Sequence, residues 1–396
     1  MARRFADSAH HGRRGVAAAE AAGDPVVLAD ALLWLSRTVY WSDAPGPATA
    51  ALERAIPLLE ELGDEARLAT AYAELARAHS DLVTVGPVAE PDPAVVEHAA
   101  RSLELAERLG HTYLRSHALQ YRGTGRLALG DAGGFDDVAL AVELAELDPR
   151  DELPARACVN ASGGSYRAGR LDDAEHYALL GLERATGGEF SAGAYRLELT
   201  LQAVHLSRGE WGGAEAGLRA LVEWPGEPGI MRPLAASLLV RLLARQARHE
   251  EAANLLRHAV AGTSGSSEIA VVGPVATATL EAAWLAGRAA VMPDLAAPAL
   301  ALAAELGHRT TEAEVTRYLQ RAGHRVTARH RGVGPWAPGL AGMWQEAADG
   351  WAALGCRYER GLELALAPDA AARSEGRREL EALGAAGALT AIARQR

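Results

Sequence analysis

Apolar positions recur at steps of three and four along almost the whole chain, and no apolar/polar alternation runs long enough to build a sheet, so the pattern predicts helices throughout. Leu28, Leu32, Leu35 and Val39 form one such stripe, and Leu171, Ala174, Ala178, Leu182 and Ala185 form another. Glycine and proline punctuate the stripes, at Gly23-Asp24-Pro25, Pro45-Gly46-Pro47, Leu62-Gly63, Leu109-Gly110 and Asp148-Pro149. Asp24 is placed to cap the helix that opens at Pro25. Successive stripes therefore read as helical hairpins.

One junction repeats. Ala168-Gly169-Arg170-Leu171-Asp172-Asp173-Ala174 returns as Arg208-Gly209-Glu210-Trp211-Gly212-Gly213-Ala214 and again as Ala247-Arg248-His249-Glu250-Glu251-Ala252, at intervals of 38–40 residues. That period points to stacked hairpins, with the closing alanine letting the second helix lie close against the first. The expected architecture is an all-α, tetratricopeptide-like superhelix. It divides into an array over residues 1–261, continuing repeats over 268–323 and terminal hairpins over 336–396. Gly262 to Ser267 reads as a flexible joint, and Arg325 to Gly339 as a basic, then Gly/Pro-rich connector.

Composition narrows the chemistry. The 396 residues are 49% hydrophobic but only 5% aromatic, and all 40 basic residues are arginines. Without lysine there is neither a P-loop ammonium nor a Schiff-base amine. Cys158 and Cys356 stand alone, with no metal-ligand spacing, which suits a reducing compartment and predicts no metal and no cofactor. The net charge of -11 works against gripping a phosphate backbone unaided. No signal-peptide core follows the N-terminal arginines, and the longest apolar run, about 269–280, is shorter than the roughly 20 residues a bilayer requires. A cytoplasmic protein is expected.

The final segment carries the most specific pattern. Pro335-Trp336-Ala337-Pro338-Gly339 leads through Trp344, Ala347, Ala348 and Trp351 to Gly355-Cys356-Arg357-Tyr358-Glu359, followed by Leu362-Glu363-Leu364-Ala365-Leu366 and by Glu379-Leu380-Glu381-Ala382-Leu383-Gly384-Ala385. This resembles the stretch before the DNA-binding domain in large LuxR-type transcriptional regulators of the ATPase-containing, MalT-like kind. Arg357 stands where that family usually has proline, and Gly361 where it usually has alanine. The upstream array is similar to the family's tetratricopeptide-like region, while its P-loop domain and helix-turn-helix have no matching positions here. The resemblance implies the signal-sensing, oligomerising middle of such a regulator.

Other strings carry no chemistry. Gly123-Thr124-Gly125-Arg126-Leu127-Ala128 mimics a dinucleotide fingerprint but has no preceding strand, Ser162-Gly163-Gly164-Ser165 lacks a nucleophile elbow, and His249-Glu250-Glu251 has alanine at 253 where a second zinc-binding histidine would fall. Asp172 and Asp173 suit a helix N-terminus.

Two surfaces remain as candidate contacts. Trp34 and Trp41, Tyr72 and His79, and Tyr113, His117 and Tyr121 each share a helix face, on the first helices of three successive hairpins. They could line a groove for a peptide or a small apolar ligand, or pack as core. Arg321, Arg325, Arg329 and Arg331 form a basic patch that could touch DNA or an acidic partner surface, or be a solvated linker. The expected function is a non-catalytic interaction and signal-sensing module with a protein or peptide partner, self-association included. A closed superhelix holding a small-molecule inducer is the alternative. No ATP hydrolysis, no specific nucleic-acid binding by this chain alone and no membrane are expected.

Overall fold

The computed structural model describes residues 2–40, 45–80, 86–147, 152–185, 191–225, 231–263 and 266–395. Regular structure among them consists of 21 α-helices and one 3-10 turn, with no strand, as the periodicity predicts. Within each unit consecutive helices pack on one another, and Asp24 caps as expected, its Oδ1 accepting from the Val26 N–H at 2.9 Å.

The first of two compact units comprises Met1–Leu82, Pro91–Ser165 and His176–Leu197. It contains α1 (Ala2–Ala22), α2 (Pro25–Tyr40), α3 (Pro45–Leu62), α4 (Glu65–His79), α5 (Pro93–Arg108), α6 (Thr112–Ala128) and α7 (Gly134–Glu146). Each packs on the next, and α4 also touches α2 and α6, so the first helices of successive hairpins are neighbours. Leu32, Leu52, Leu59 and Leu75 fill the core between α2, α3 and α4. Three further helices, α8 (Glu152–Arg167), α9 (Leu171–Arg184) and α10 (Ser191–Arg208), contribute residues to both units.

The second unit comprises Val83–Glu90, Tyr166–Glu175 and Glu198–Arg396. Beyond α10 it holds α11 (Trp211–Val222), α12 (Met231–Arg245), α13 (His249–Thr263), α14 (Ile269–Leu285), α15 (Met292–Leu306) and α16 (Arg309–Arg321). The chain continues with α17 (Trp336–Leu340), α18 (Trp344–Ala353), α19 (Arg357–Ala365), α20 (Ala370–Ala382) and α21 (Ala386–Arg394). Helix α14 touches α12, α13, α15 and α16, and α21 returns to α12 and α14. That return is close. A Cβ on Gly387 would lie 2.2 Å from the Ala244 carbonyl oxygen, so only glycine fits there.

The recurring junction is a left-handed helix stop. Gly169 and Gly209 have φ of +75° and +87°, and Ala247 fills the same place at +65°. The Glu210 N–H donates to the His205 carbonyl at 2.9 Å and the Arg248 N–H to the Leu243 carbonyl at 2.9 Å, which closes each helix with a Schellman bond. Ala174, Ala214 and Ala252 are all buried where the next helix packs. Of the expected joint at 262–267, residues 264 and 265 lie outside the described residues, as do Asp148-Pro149 and Trp41.

The helix that closes at Leu306 falls within the repeats expected over 268–323 but is longer in apolar character than the run at 269–280. Ala289–Leu306 is long and apolar enough by composition to cross a bilayer, with a mean hydropathy of 1.4. Its small residues Ala296, Ala299 and Ala303 are buried in the second unit, while Leu295 and Leu306 are exposed.

Candidate functional site

Helix α12 is buried at every position except Arg232, which is unusual for a segment carrying Arg241 and Arg245 in its second half. A buried guanidinium is tolerated only when carboxylates and hydrogen bonds replace water. Neighbouring helices of the second unit supply them. From α14, Glu281 accepts from Arg241 Nε at 2.5 Å and from Arg245 Nε and Nη2 at 2.8 and 3.2 Å. From α16, Glu314 accepts from Arg241 Nη1 at 3.2 Å, and the Tyr318 hydroxyl accepts from Arg241 Nη2 at 2.9 Å. From α19, Glu359 accepts from the Tyr318 hydroxyl at 2.9 Å and from Arg321 Nη1 at 2.7 Å. Glu363, one turn further on, accepts from Arg321 Nη2 at 2.7 Å and pairs with Arg317. Four arginines and four glutamates thus tie α12, α14, α16 and α19 together.

The charges are not equally settled. Burial opposes ionisation of Glu281, yet Arg245 and Arg241 hold its carboxyl well below the usual range. Burial pushes the Glu314 carboxyl up, and its single bond to Arg241 does not offset the neighbouring Glu359 and Glu281. Burial likewise raises the Tyr358 and Tyr318 phenols and pushes the Cys356 thiol up to about 12, which leaves that cysteine inert at neutral pH.

Against this network lies a cavity of about 60 Å³, belonging wholly to the second unit. Its polar wall includes Arg241, Arg245, Glu314, Tyr358 and Glu359, and its apolar wall includes Val88, Leu206, Leu238, Pro274 and Trp336. Two donors on the wall have capacity to spare. The buried Tyr358 hydroxyl has no hydrogen-bond partner, and the Arg245 hydrogen bonds run from Nε and Nη2, leaving Nη1 without one among the described residues. The Arg245 guanidinium lies 3.8 Å from the Tyr358 ring centroid, so the two groups form one face of the cavity. Val88 is held at the wall through Glu90, which accepts from the Thr310 N–H at 2.7 Å and from Arg309 Nε at 3.2 Å.

The terminal motif singled out in the sequence is part of this site. Trp336 and Trp351 meet edge to face at 4.5 Å, Cys356 precedes α19, and Tyr358 and Glu359 turn inward from its first turn. Sequence reasoning missed Arg241, Arg245, Glu281, Glu314 and Tyr318. A signal existed in Leu238-Leu239-Val240-Arg241-Leu242-Leu243-Ala244-Arg245, where two arginines one turn apart interrupt an otherwise apolar helix.

The aromatic stripes expected to form a groove fall in the first unit as separate groups. Tyr113, His117 and Tyr121 run along α6, Tyr113 stacked on His117 at 5.5 Å between ring centroids and His117 edge-on to Tyr121 at 5.2 Å. His117 and Tyr121 are buried, and Tyr121 packs with Ala76, Val95 and Ala99 in a core cluster. Tyr72 and His79 turn to His98 on α5, at 6.3 and 5.4 Å, and His79 Nδ1 lies 2.9 Å from Asp92. Trp34 is 49% exposed on α2, and Trp41 lies outside the described residues.

The basic patch is divided. Arg325, Arg329 and Arg331 are exposed, but the Arg321 side chain is 0% exposed inside the ion network and belongs to no surface. The connector is pinned, with Glu312 accepting from the Arg329 N–H at 2.5 Å and lying 2.7 Å from His330 Nδ1. No three His, Cys, Asp or Glu side chains among the described residues group as metal ligands.

No family model and no curated protein matches the sequence. Among solved structures the chain is similar to a Rap protein complexed with competence and sporulation factor, at 11% identity and a TM-score of 0.47, covering 82% of this chain and 98% of that one.

Proposed function

We propose that this chain is a signal-sensing module of helical repeats without a catalytic centre, and that its signal is a small molecule held in the cavity of the second unit. The observation that carries this reading is the buried wall itself. A phenol without a protein partner among the described residues, beside a partly engaged guanidinium and facing an apolar wall, offers hydrogen bonds to a small ligand. The residues of the LuxR-like terminal motif line that wall, which supports a regulatory role like that of the middle of such regulators, in the cytoplasm and acting through a protein partner. Trp34, the half-buried Tyr72, His79 and Tyr113, and the exposed Arg325, Arg329 and Arg331 are the surfaces we assign to that partner, whereas His117 and Tyr121 are buried and belong to the core.

The test is thermodynamic linkage, because a ligand that binds only the folded state raises the melting temperature with its concentration. An ultrafiltered cell extract should raise the melting temperature of the full chain, dialysis should reverse the shift, and Ser237→Val, which fills part of the cavity, should abolish it. Equal responses from wild type and Ser237→Val would contradict the reading.

A further inference from the structure

The cavity wall also specifies what kind of molecule fits. An occupant must satisfy the Tyr358 hydroxyl and Arg245 Nη1, both donors, on one side and contact Val88, Leu206, Leu238, Pro274 and Trp336 on the other. It must also be small, since about 60 Å³ of space for solvent centres holds on the order of four to six waters. An amine is disfavoured. It would sit between the Arg241 and Arg245 guanidiniums; of the two carboxylates on the wall, Glu359 is taken by Arg321, Tyr318 and Arg241, and Glu314 is bonded to Arg241 with burial pushing its carboxyl up. A carboxylate accepts from both spare donors, and guanidinium binds it with short, charge-assisted bonds.

Resting on the sensing reading above, we infer that the second-unit cavity binds a short-chain monocarboxylate, its carboxylate on Arg245 and Tyr358 and its alkyl tail against Trp336 and Leu238. The site's own charge is consistent with an added anion. Burial pushes the Glu314 carboxyl up, which works against a full complement of negative charge around Arg241 and Arg245.

Titration calorimetry on the full chain with propionate and butyrate, and with butyramide and butylamine as neutral and cationic counterparts, tests the class. Saturable one-to-one binding is expected for the carboxylates only. Tyr358→Phe should weaken it roughly tenfold, the value of one hydrogen bond to a charged group. Ser237→Val should remove it, with helix content and unliganded melting temperature showing that both variants fold. Binding of butylamine or butyramide with the carboxylates silent overturns the carboxylate assignment and leaves the sensing reading standing. Silence of all four probes also overturns the assignment, and an extract response that is equal in wild type and Ser237→Val overturns the sensing reading itself. Carboxylate binding unchanged in both variants places the anion elsewhere and overturns the assignment too.

Discussion

His117 and Arg321 show how far a residue's neighbours decide its chemistry. Burial holds the His117 imidazole down to about 4, so it stays neutral near neutral pH with its Nδ1 unpartnered. Beside it, burial works against ionisation of Glu74, yet Arg77 at 2.6 Å and Arg37 at 3.2 Å keep that carboxyl at about 2. The signs follow from linkage. Below the ordinary histidine value of 6.5 the unfolded chain takes up a proton that folded His117 refuses until about pH 4, and stability falls by about 3 kcal/mol across that window. Glu74 adds stability that is complete above 4.5 and is lost as pH falls towards 2. In His117→Phe, which keeps a ring between Tyr113 and Tyr121, the loss between pH 6.5 and 4 should shrink by about that amount in chemical denaturation; a slope identical to wild type would contradict it. Arg321→Ala should cost about 3 kcal/mol because it takes one buried charge partner from each of two carboxylates, leaving Glu359 to Tyr318 and Arg241 and Glu363 to Arg317. Arg325→Ala should stay within about 0.5 kcal/mol. The sequence showed a run of arginines but not which one is inside, because the partners of Arg321 lie some 40 residues later, in a helix that reads locally as amphipathic.

Whole helices were more legible than their charges. The three-and-four spacing and the repeated junction located α8 to α13 and their turns, because both depend on residues close in sequence. The backbone at the junction explains its composition. Gly169 and Gly209 occupy left-handed conformations that cost other residues roughly 1 kcal/mol, and Ala247 bears that cost. Ala247→Gly should therefore stabilise by up to about 1 kcal/mol, the entropy of an added glycine taking back part of the gain. A destabilised variant would mean that the Ala247 methyl makes contacts worth more than the strain. The burial of α12 on all sides was less legible, because Arg241 and Arg245 gave its polar positions the look of a solvent face. Only Glu281, Glu314 and Glu359, distant in sequence, reveal them as interior.

At the scale of the molecule, the two units carry different reporters. The described tryptophans Trp211, Trp224, Trp284, Trp336, Trp344 and Trp351 belong to the second unit, whereas the first has Trp34 and the acid-sensitive His117 and Glu74. Acid unfolding followed by helicity should therefore begin at higher pH than unfolding followed by tryptophan emission; coincident curves would indicate one cooperative transition. The cavity was the least legible feature. It depends on side chains from residues 86–88, α10, α12, α14, α16 and α19 meeting in space, and only Trp336, Cys356, Tyr358 and Glu359 stood out in sequence. Hydrogen exchange of the full chain, with and without the ultrafiltered extract, tests the central claim most directly because it locates the ligand as well as detecting it. A ligand in the cavity predicts slowed exchange in α12, α14, α16 and α19 with α4 to α6 unchanged. Protection confined to α4 to α6, or no change in the four cavity helices, would contradict a small-molecule site in the second unit.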